Sequence, residues 1–156
     1  MELDFGATPW RHVRREDLKR AANAGGGDDP AWELIVDALR VPEAISLVLL
    51  FGGQRIYVQS LAQLEAGRIT THGRQVAATL GLPVWRRIVK ALGGSGSAIY
   101  VPVPKAVIRA AAARMLQEGW PPLEVRAIFG LSGAELKHAT QRFLRKNLEA
   151  EVVTDG

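Results

Sequence analysis

Two stretches of the chain share one pattern, a helix followed by a Gly-Gly pair and an Ile-Tyr-Val triplet. Pro42 and Pro83 open the two predicted helices, whose apolar residues recur at the i, i+3, i+4, i+7 spacing of an amphipathic helix. The helix positions of the two copies lie 41 residues apart and the triplets 43 residues apart. Helix capping and strand propensity alone can produce such a pattern, but the shared register favours an internal duplication. The triplets predict two short pairing strands, formed by Ile56, Tyr57 and Val58 and by Ile99, Tyr100 and Val101.

An internal duplication predicts which partner pairs with the edge of each short strand. We expect the two copies to pair within the chain about a pseudo-twofold axis, because each short strand then covers the edge of the other. A domain-swapped homodimer is the alternative, since the two-residue insertion and Pro102 disturb the register of strand pairing. In the intrachain arrangement the matching helix faces pack together, with Leu47, Val48 and Phe51 against Ile88, Val89 and Leu92.

Composition limits the classes of protein to which the chain can belong. Its 156 residues, 47% hydrophobic and 23% charged, describe one globular unit. The absence of cysteine excludes disulfides, thiolate metal sites and a cysteine nucleophile. The longest uncharged apolar stretch, residues 44–53, is half of the roughly 20 residues that a membrane helix needs, and the first residues lack the apolar region of a signal peptide. We therefore expect a cytoplasmic protein without a membrane partner.

Helix-capping residues, prolines and the spacing of apolar residues along the chain predict a mainly α fold with two short β-strands. Asp29 and Pro30 open the first core helix, and a helix from about Lys105 buries an alanine-rich face. Arg109 and Arg114 fall outside that buried face. We divide the chain into a basic helix with a flexible linker (1–28), a duplicated dimerisation-like core (29–104, with repeats 38–58 and 79–101), a helix-turn-helix region (105–148) and a loose tail (149–156).

The positive charge of the chain is concentrated in its second half. Residues 1–78 carry 9 Lys and Arg against 10 Asp and Glu, whereas residues 79–156 carry 11 against 6. Between Arg86 and Lys146 there are 11 basic and 3 acidic residues. A field of this sign attracts a polyanion. The alternative interpretation is a solvated basic face that has no partner.

The segment from Leu123 to Lys146 has the pattern of a helix-turn-helix. Its glycine can adopt the left-handed conformation that the tight turn requires. Ser132, followed three residues later by Glu135, forms a capping box that starts the second helix. The residues predicted to form the turn and the motif core are Val125, Phe129, Gly130, Leu131, Leu136 and Ala139.

The second helix of this segment presents a basic and polar face that can contact DNA. Its Lys, His, Gln and Arg side chains donate hydrogen bonds to base edges and phosphates. The predicted base-reading residues are Gly133, Ala134, Lys137, His138 and Gln141. The predicted phosphate contacts are Arg109, Ser132, Arg142, Arg145 and Lys146. An ordinary helical hairpin with a basic surface is the alternative.

Arg126 departs from the usual pattern of this motif, which has a small residue four positions before the turn glycine. Either the two helices cross more widely than usual, or Arg126 lies flat and reaches solvent by its long stem. The placement of this side chain is therefore a test of the motif.

An amphipathic helix ending in LGGSGSAIYVP, a long helix and a basic helix-turn-helix follow one another between residues 79 and 146. This order resembles the Mor (middle operon regulator) transcription activators of Mu-like phages and prophages, and a partial second match covers residues 31–59 through LLFGGQRIYV. The resemblance implies an intertwined dimerisation domain of helix and strand, and a carboxy-terminal helix-turn-helix that binds promoter DNA. The duplicated element and Arg126 are two departures from the family.

Residues 74–92, RQVAATLGLPVWRRIVKAL, contain a weaker form of the same motif. The small Ala77 stands four positions before Gly81, but Pro83 replaces the capping Ser or Thr. The helix that follows also carries the apolar face of the second repeat. A helix that is packed in the protein core cannot at the same time lie in a DNA groove. We interpret it as structural, with candidate phosphate contacts on its outer face at Arg86, Arg87 and Lys90.

No pattern in the chain predicts an enzyme. His12, His72 and His138 are isolated from one another and lack metal-ligand spacing. The GGSGS stretch at 93–97 lacks the Lys-Ser/Thr of a phosphate-binding loop and the second glycine of a nucleophile elbow, and it is better explained as a flexible β-turn. We expect no catalysis, no cofactor and no metal.

These observations predict a sequence-specific regulator of phage or prophage type that binds double-stranded DNA through a basic recognition helix in the major groove. Further candidate partners are RNA polymerase, a second copy of the chain and a related Mor-like protein. The alternative is a protein-interaction antagonist that pairs with a Mor-like regulator through the duplicated element without binding DNA specifically. Arg126 and the duplication favour the antagonist, and the basic face favours DNA.

Overall fold

Helices make up most of the protein, and two short strands form its one sheet in the part of the chain that the structure describes. The structure is a computed structural model that describes residues 8–23, 30–93 and 96–154, with the backbone alone for 144–154. The elements in chain order are α1 (Thr8–Arg11), α2 (Arg15–Asn23), α3 (Pro30–Ala38), α4 (Val41–Phe51), β1 (Arg55–Val58), α5 (Leu61–Glu65), α6 (Thr71–Leu80), α7 (Leu82–Leu92), β2 (Ser97–Tyr100), α8 (Pro104–Gln117), α9 (Pro122–Phe129) and α10 (Gly133–Thr154).

The mainly α class with two short β-strands is confirmed. Helix α2 extends to Asn23, into the predicted linker AANAGGGDD (21–29), and the rest of that linker lies outside the described residues, as does the centre of the predicted turn at 94–95. The backbone of α10 continues to Thr154, through part of the segment predicted to be a loose tail, and residues 155–156 lie outside the described residues. None of the helices within the described ranges has the length and apolar character needed to cross a membrane.

The strands β1 and β2 pair with each other in antiparallel orientation. Ile56 faces Ile99, and the partners on either side are Arg55 with Tyr100 and Tyr57 with Ala98. Positions 43 residues apart are therefore related about the central isoleucine pair, as a pseudo-twofold axis requires. The pairing continues to Val101, whose amide donates to the carbonyl of Gln54 at 3.0 Å. Residues Ile56, Val58, Ile99 and Val101 point into the core and are fully buried.

The helix bounds follow the same repeat. α4 and α7 have equal lengths and begin and end 41 residues apart. Pro42 and Pro83 occupy the first turn of each helix, where the missing amide hydrogen of proline breaks no helical bond. Preceding α4 and α7 are α3 and α6, whose first residues, Pro30 and Thr71, are also 41 residues apart.

The predicted packing of α4 against α7 is not the main contact of either helix. The main neighbours of α7 are α6 and α3. Gly73 on α6 makes close contact possible, because a Cβ atom at this position would lie 2.6 Å from the Trp85 ring on α7. Helix α3 fills the remaining space with an apolar face that contains the fully buried Trp32. Of the six side chains predicted to pack together, five lie in one common core and Leu92 packs at its margin.

The amino-terminal helix α2 belongs to this core, which the sequence analysis placed only from Asp29 onward. Leu18 is fully buried, and its carbonyl accepts a hydrogen bond of 2.7 Å from the Trp32 indole nitrogen. Two basic residues of α2 have partners on or directly after α3. Arg15 donates to the carbonyls of Val36 and Leu39 at the end of α3, and Lys19 pairs with Asp37 at 2.7 Å.

Helix α8 is the central helix of the carboxy-terminal half. Its four consecutive alanines, 110–113, are all fully buried, because α2, α9 and α10 pack around it. Small side chains let neighbouring helix backbones approach closely. The prediction that Arg114 lies outside the buried face is wrong, since Arg114 is only 5% exposed. Its guanidinium nitrogen Nε lies 3.0 Å from Oδ1 of the buried Asp17 on α2.

The pairing of β1 with β2 leads to a prediction on the oligomeric state. We expect a monomer at micromolar concentration, because each strand already has its partner in the same chain. The chain has no cysteine, so the double variant Tyr57→Cys, Ala98→Cys introduces a single pair of thiols at directly opposed positions. On oxidation it should migrate as a cross-linked monomer in a denaturing gel. A covalent dimer, or a dimer in sedimentation, would indicate strand exchange between chains.

Candidate nucleic-acid interface

A tight turn joins α9 to α10, and local signals define it completely. Gly130 has φ 65° and ψ 35°, the left-handed conformation predicted for it. The predicted capping box is also confirmed. The amide of Ser132 donates to Oε1 of Glu135 at 3.2 Å, and the amide of Glu135 donates to the Ser132 hydroxyl at 3.1 Å. These bonds satisfy the amide of Ser132, which directly precedes α10, and the amide of Glu135 in the first turn of the helix.

The residues predicted for the motif core are buried, but the core is centred on α8. Both α9 and α10 pack mainly against α8 instead of against each other. Val125 and Ala139 are fully buried, and Phe143, which the sequence analysis did not include, packs against Ala110 and Ala113 of α8. The remaining predicted core residues are buried or half-buried at Phe129, Leu131 and Leu136.

One side of α10 is therefore anchored, and the opposite side faces solvent. All five predicted base-reading residues are exposed: Gly133, Ala134, Lys137, His138 and Gln141. Ser132 and Arg142, both predicted phosphate contacts, are exposed as well. The side chains of Arg145 and Lys146 lie outside the described residues. Residues 136–147 contain four Lys and Arg and no Asp or Glu, so this stretch of the chain carries a net positive charge.

Arg126 folds over the turn that joins α9 to α10. Its Nε donates to the carbonyl of Leu131 at 3.3 Å. Its guanidinium lies beside Gly133, where a Cβ atom would be 3.8 Å from Nη1. Of the two placements considered for this side chain, the structure has the flat one. The aliphatic stem is half-buried, and the charged end reaches the first residue of α10.

Arg109 is less available than its predicted role as a phosphate contact requires. Its side chain is 29% exposed, and Nη2 lies 3.8 Å from Oε2 of Glu135. Its Nε is buried without a hydrogen-bond partner. The backbone amide and the hydroxyl of Ser132, together with Arg109, lower the pKa of Glu135. Glu135 therefore stays ionised at neutral pH and offsets part of the Arg109 charge.

Other basic residues of the chain are placed for structural roles. Helix α7 buries Val84, Trp85, Ile88 and Val89, as expected for a structural helix. Arg87 on its outer face is engaged by Glu43 at 2.6 Å, while Arg86 and Lys90 are exposed.

An open cavity of about 350 Å³ lies beside the basic amino-terminal run and is lined by Arg14, Arg15, Glu16 and Lys19. Its three cationic residues are already engaged by carboxylates or carbonyl groups. The cavity is therefore not the basic surface that a nucleic acid would need.

The amino-terminal segment contacts α8 and α9, the two helices that precede α10 in the chain. The His12 ring meets the rings of Trp120 and Phe129 edge-on, at centroid distances of 5.7 and 6.3 Å. Arg114 donates to the His12 carbonyl at 2.7 Å, and it also pairs with Asp17. These long-range contacts were not predicted, and no local pattern in the sequence indicates them.

Comparisons with models of protein families, with curated proteins and with solved structures gave no match. The resemblance to the Mor family therefore stays a prediction that is based on the motifs alone.

Proposed function

We propose that the protein is a sequence-specific regulator of transcription, of phage or prophage type, that binds double-stranded DNA with α10 in the major groove. The observation that carries the proposal is the orientation of α10. Its apolar side is fixed on α8, while Lys137, His138 and Gln141 point into solvent directly after a tight, capped turn. A helix presented in this way fits into the major groove, and its side chains can donate hydrogen bonds to the base edges there.

The pairing of the strands weighs against the antagonist hypothesis. An antagonist that uses the duplicated element needs a free strand or helix face to offer to a partner chain. In this chain β1 and β2 pair with each other, and their inward side chains are fully buried. On α10 the polar side chains of Lys137, His138 and Gln141 are exposed, so DNA binding is the better-supported function.

Selection of bound fragments from random duplex DNA tests the proposal. We expect one sequence motif to be enriched, of a length that a single recognition helix can cover. Salt-sensitive binding without any enriched motif would leave only a basic surface, and no binding at low salt would contradict DNA binding altogether. A monomer reads one half-site, so an enriched palindrome would require a dimer contact outside β1 and β2.

The affinity for duplex DNA should fall steeply as salt is added, because each neutralised phosphate releases condensed counterions. Arg142→Ala and Arg145→Ala should weaken binding to all sequences alike. Each should reduce the slope of log affinity against log salt by about one. The matched control is Arg74→Ala, which removes an exposed cation from α6, away from α8, α9 and α10. Fluorescence anisotropy with the selected duplex over a series of salt concentrations measures the slopes, and equal slopes for Arg142→Ala and Arg74→Ala would contradict the assignment.

A further inference from the structure

We infer that Arg126 contacts a DNA phosphate next to the base-reading helix, a role that the sequence analysis did not assign. The inference rests on the proposed function and adds a residue from α9 to the interface. Arg126 departs from the sequence pattern of the motif, which has a small residue at this position. The structure shows that it does not disturb the turn, so its charge needs another explanation.

The position of the guanidinium supports this role. Arg126 Nη1 lies close to Gly133, the first residue of α10 and a predicted base-reading position. Gly133 has no side chain, so nothing on that residue separates the guanidinium from the surface that would face DNA. The bond from Nε to the Leu131 carbonyl restrains the planar group. A restrained guanidinium loses less conformational freedom when it binds a phosphate than a mobile one does.

Arg126 and Arg109 lie at opposite edges of α10. Arg126 is next to Gly133, whereas Arg109 is next to Glu135, two residues further along. Two residues correspond to about 200° of rotation around a helix. The two arginines therefore approach the first turn of α10 from different sides, Arg109 from the packing helix α8 and Arg126 from α9.

The two edges differ in charge. Arg109 is close to the ionised Glu135, so its positive charge is partly offset. Among the described residues, Arg126 has its hydrogen bond to a neutral carbonyl group and no carboxylate partner. Arg126 consequently keeps its full charge at the surface. We expect it to contribute more to phosphate binding than Arg109 does.

Salt titrations of duplex binding by the full-length chain test this role with three variants. Arg126→Ala restores the small residue of the usual motif, and Arg126→Gln keeps a donor for the Leu131 carbonyl but removes the charge. Both should weaken binding to the selected duplex roughly tenfold at moderate salt and reduce the salt slope by about one. Arg126→Lys keeps the charge and should retain the slope. The control Arg74→Ala should match the wild-type protein.

The possible results separate this inference from the proposed function. If the wild-type protein binds duplex DNA and Arg126→Gln has the wild-type slope and affinity, Arg126 is not a phosphate contact, while the DNA-binding function stands. If the wild-type protein binds no duplex at low salt, both are wrong. A loss of slope in Arg126→Gln, with circular dichroism and Tm equal to those of the wild-type protein, supports the inference, because a merely structural residue would change Tm instead.

Discussion

Replacing Arg114 with alanine should lower the free energy of unfolding by about 3 to 5 kcal/mol, because it leaves the Asp17 carboxylate buried without its partner. Asp17 is fully buried, and Arg114 Nε lies 3.0 and 3.2 Å from its two carboxylate oxygens. The same guanidinium donates to the His12 carbonyl and to Glu118. One substitution therefore removes three polar contacts of α8, two of which hold the amino-terminal segment. For a chain of this length, Tm should fall by roughly 10 °C.

The pKa of Asp17 shows how costly this buried charge is. Burial raises the pKa of the Asp17 carboxyl, even though the Arg14 amide and Arg114 both donate to it and favour the ionised form. The pKa of Arg114 is also raised, because its bonds to Asp17 and Glu118 outweigh the effect of burial on the guanidinium. The ion pair therefore offsets only part of the desolvation of Asp17, and removing Arg114 leaves that cost uncompensated.

Two further variants make the Arg114 prediction specific. Arg14→Ala removes the exposed pair between Arg14 and Glu118, whose side chains are 62% and 36% exposed, and should cost less than about 1 kcal/mol. Arg114→Lys keeps the charge but loses the three separate donor nitrogens that reach Asp17, Glu118 and the His12 carbonyl, so its effect should be intermediate. Thermal and urea unfolding measure the order of the three variants. Equal Tm values for Arg114→Ala and Arg14→Ala would show that the buried pair is not important for stability.

The features that the sequence predicted well are encoded over a few consecutive residues. The left-handed Gly130, the capping box of Ser132 and Glu135, and the proline-started helices α4 and α7 all depend on neighbours along the chain. The exposed face of α10 was predictable for a similar reason. That helix has one main packing partner, α8, so its apolar period alone determines which side is buried.

The features that were missed depend on residues far apart in the sequence. Arg114 and Asp17 are separated by 97 positions, and nothing near Arg114 distinguishes it from an exposed arginine. The basic amino-terminal run predicts a helix outside the core, but Arg15 and Lys19 find partners on α3, and Leu18 enters the core. The packing of α7 was mispredicted because the repeat relates the two helices by sequence, whereas α3 and α6 decide which surfaces meet.

A pair of adjacent substitutions on α10 should separate folding from recognition. Leu136→Ala should lower the free energy of unfolding by about 2 to 5 kcal/mol, because Leu136 is only 6% exposed and belongs to the core that contains Val125 and Phe129. Lys137→Ala should change stability by no more than about 0.5 kcal/mol, since its side chain is exposed on a helix. It should instead alter the preferred base sequence.

Both readouts come from the same two variants. Urea unfolding gives the stability change, and repeated selection from random duplexes gives the sequence preference. His138→Ala and Gln141→Ala extend the test along the exposed face and should behave like Lys137→Ala, each relaxing the preference at its own base position. If Lys137→Ala unfolds the protein while Leu136→Ala does not, the helix is rotated relative to α8, and the base-reading face must be sought on its other side. If Lys137→Ala changes neither stability nor sequence preference, Lys137 is not a base-reading residue.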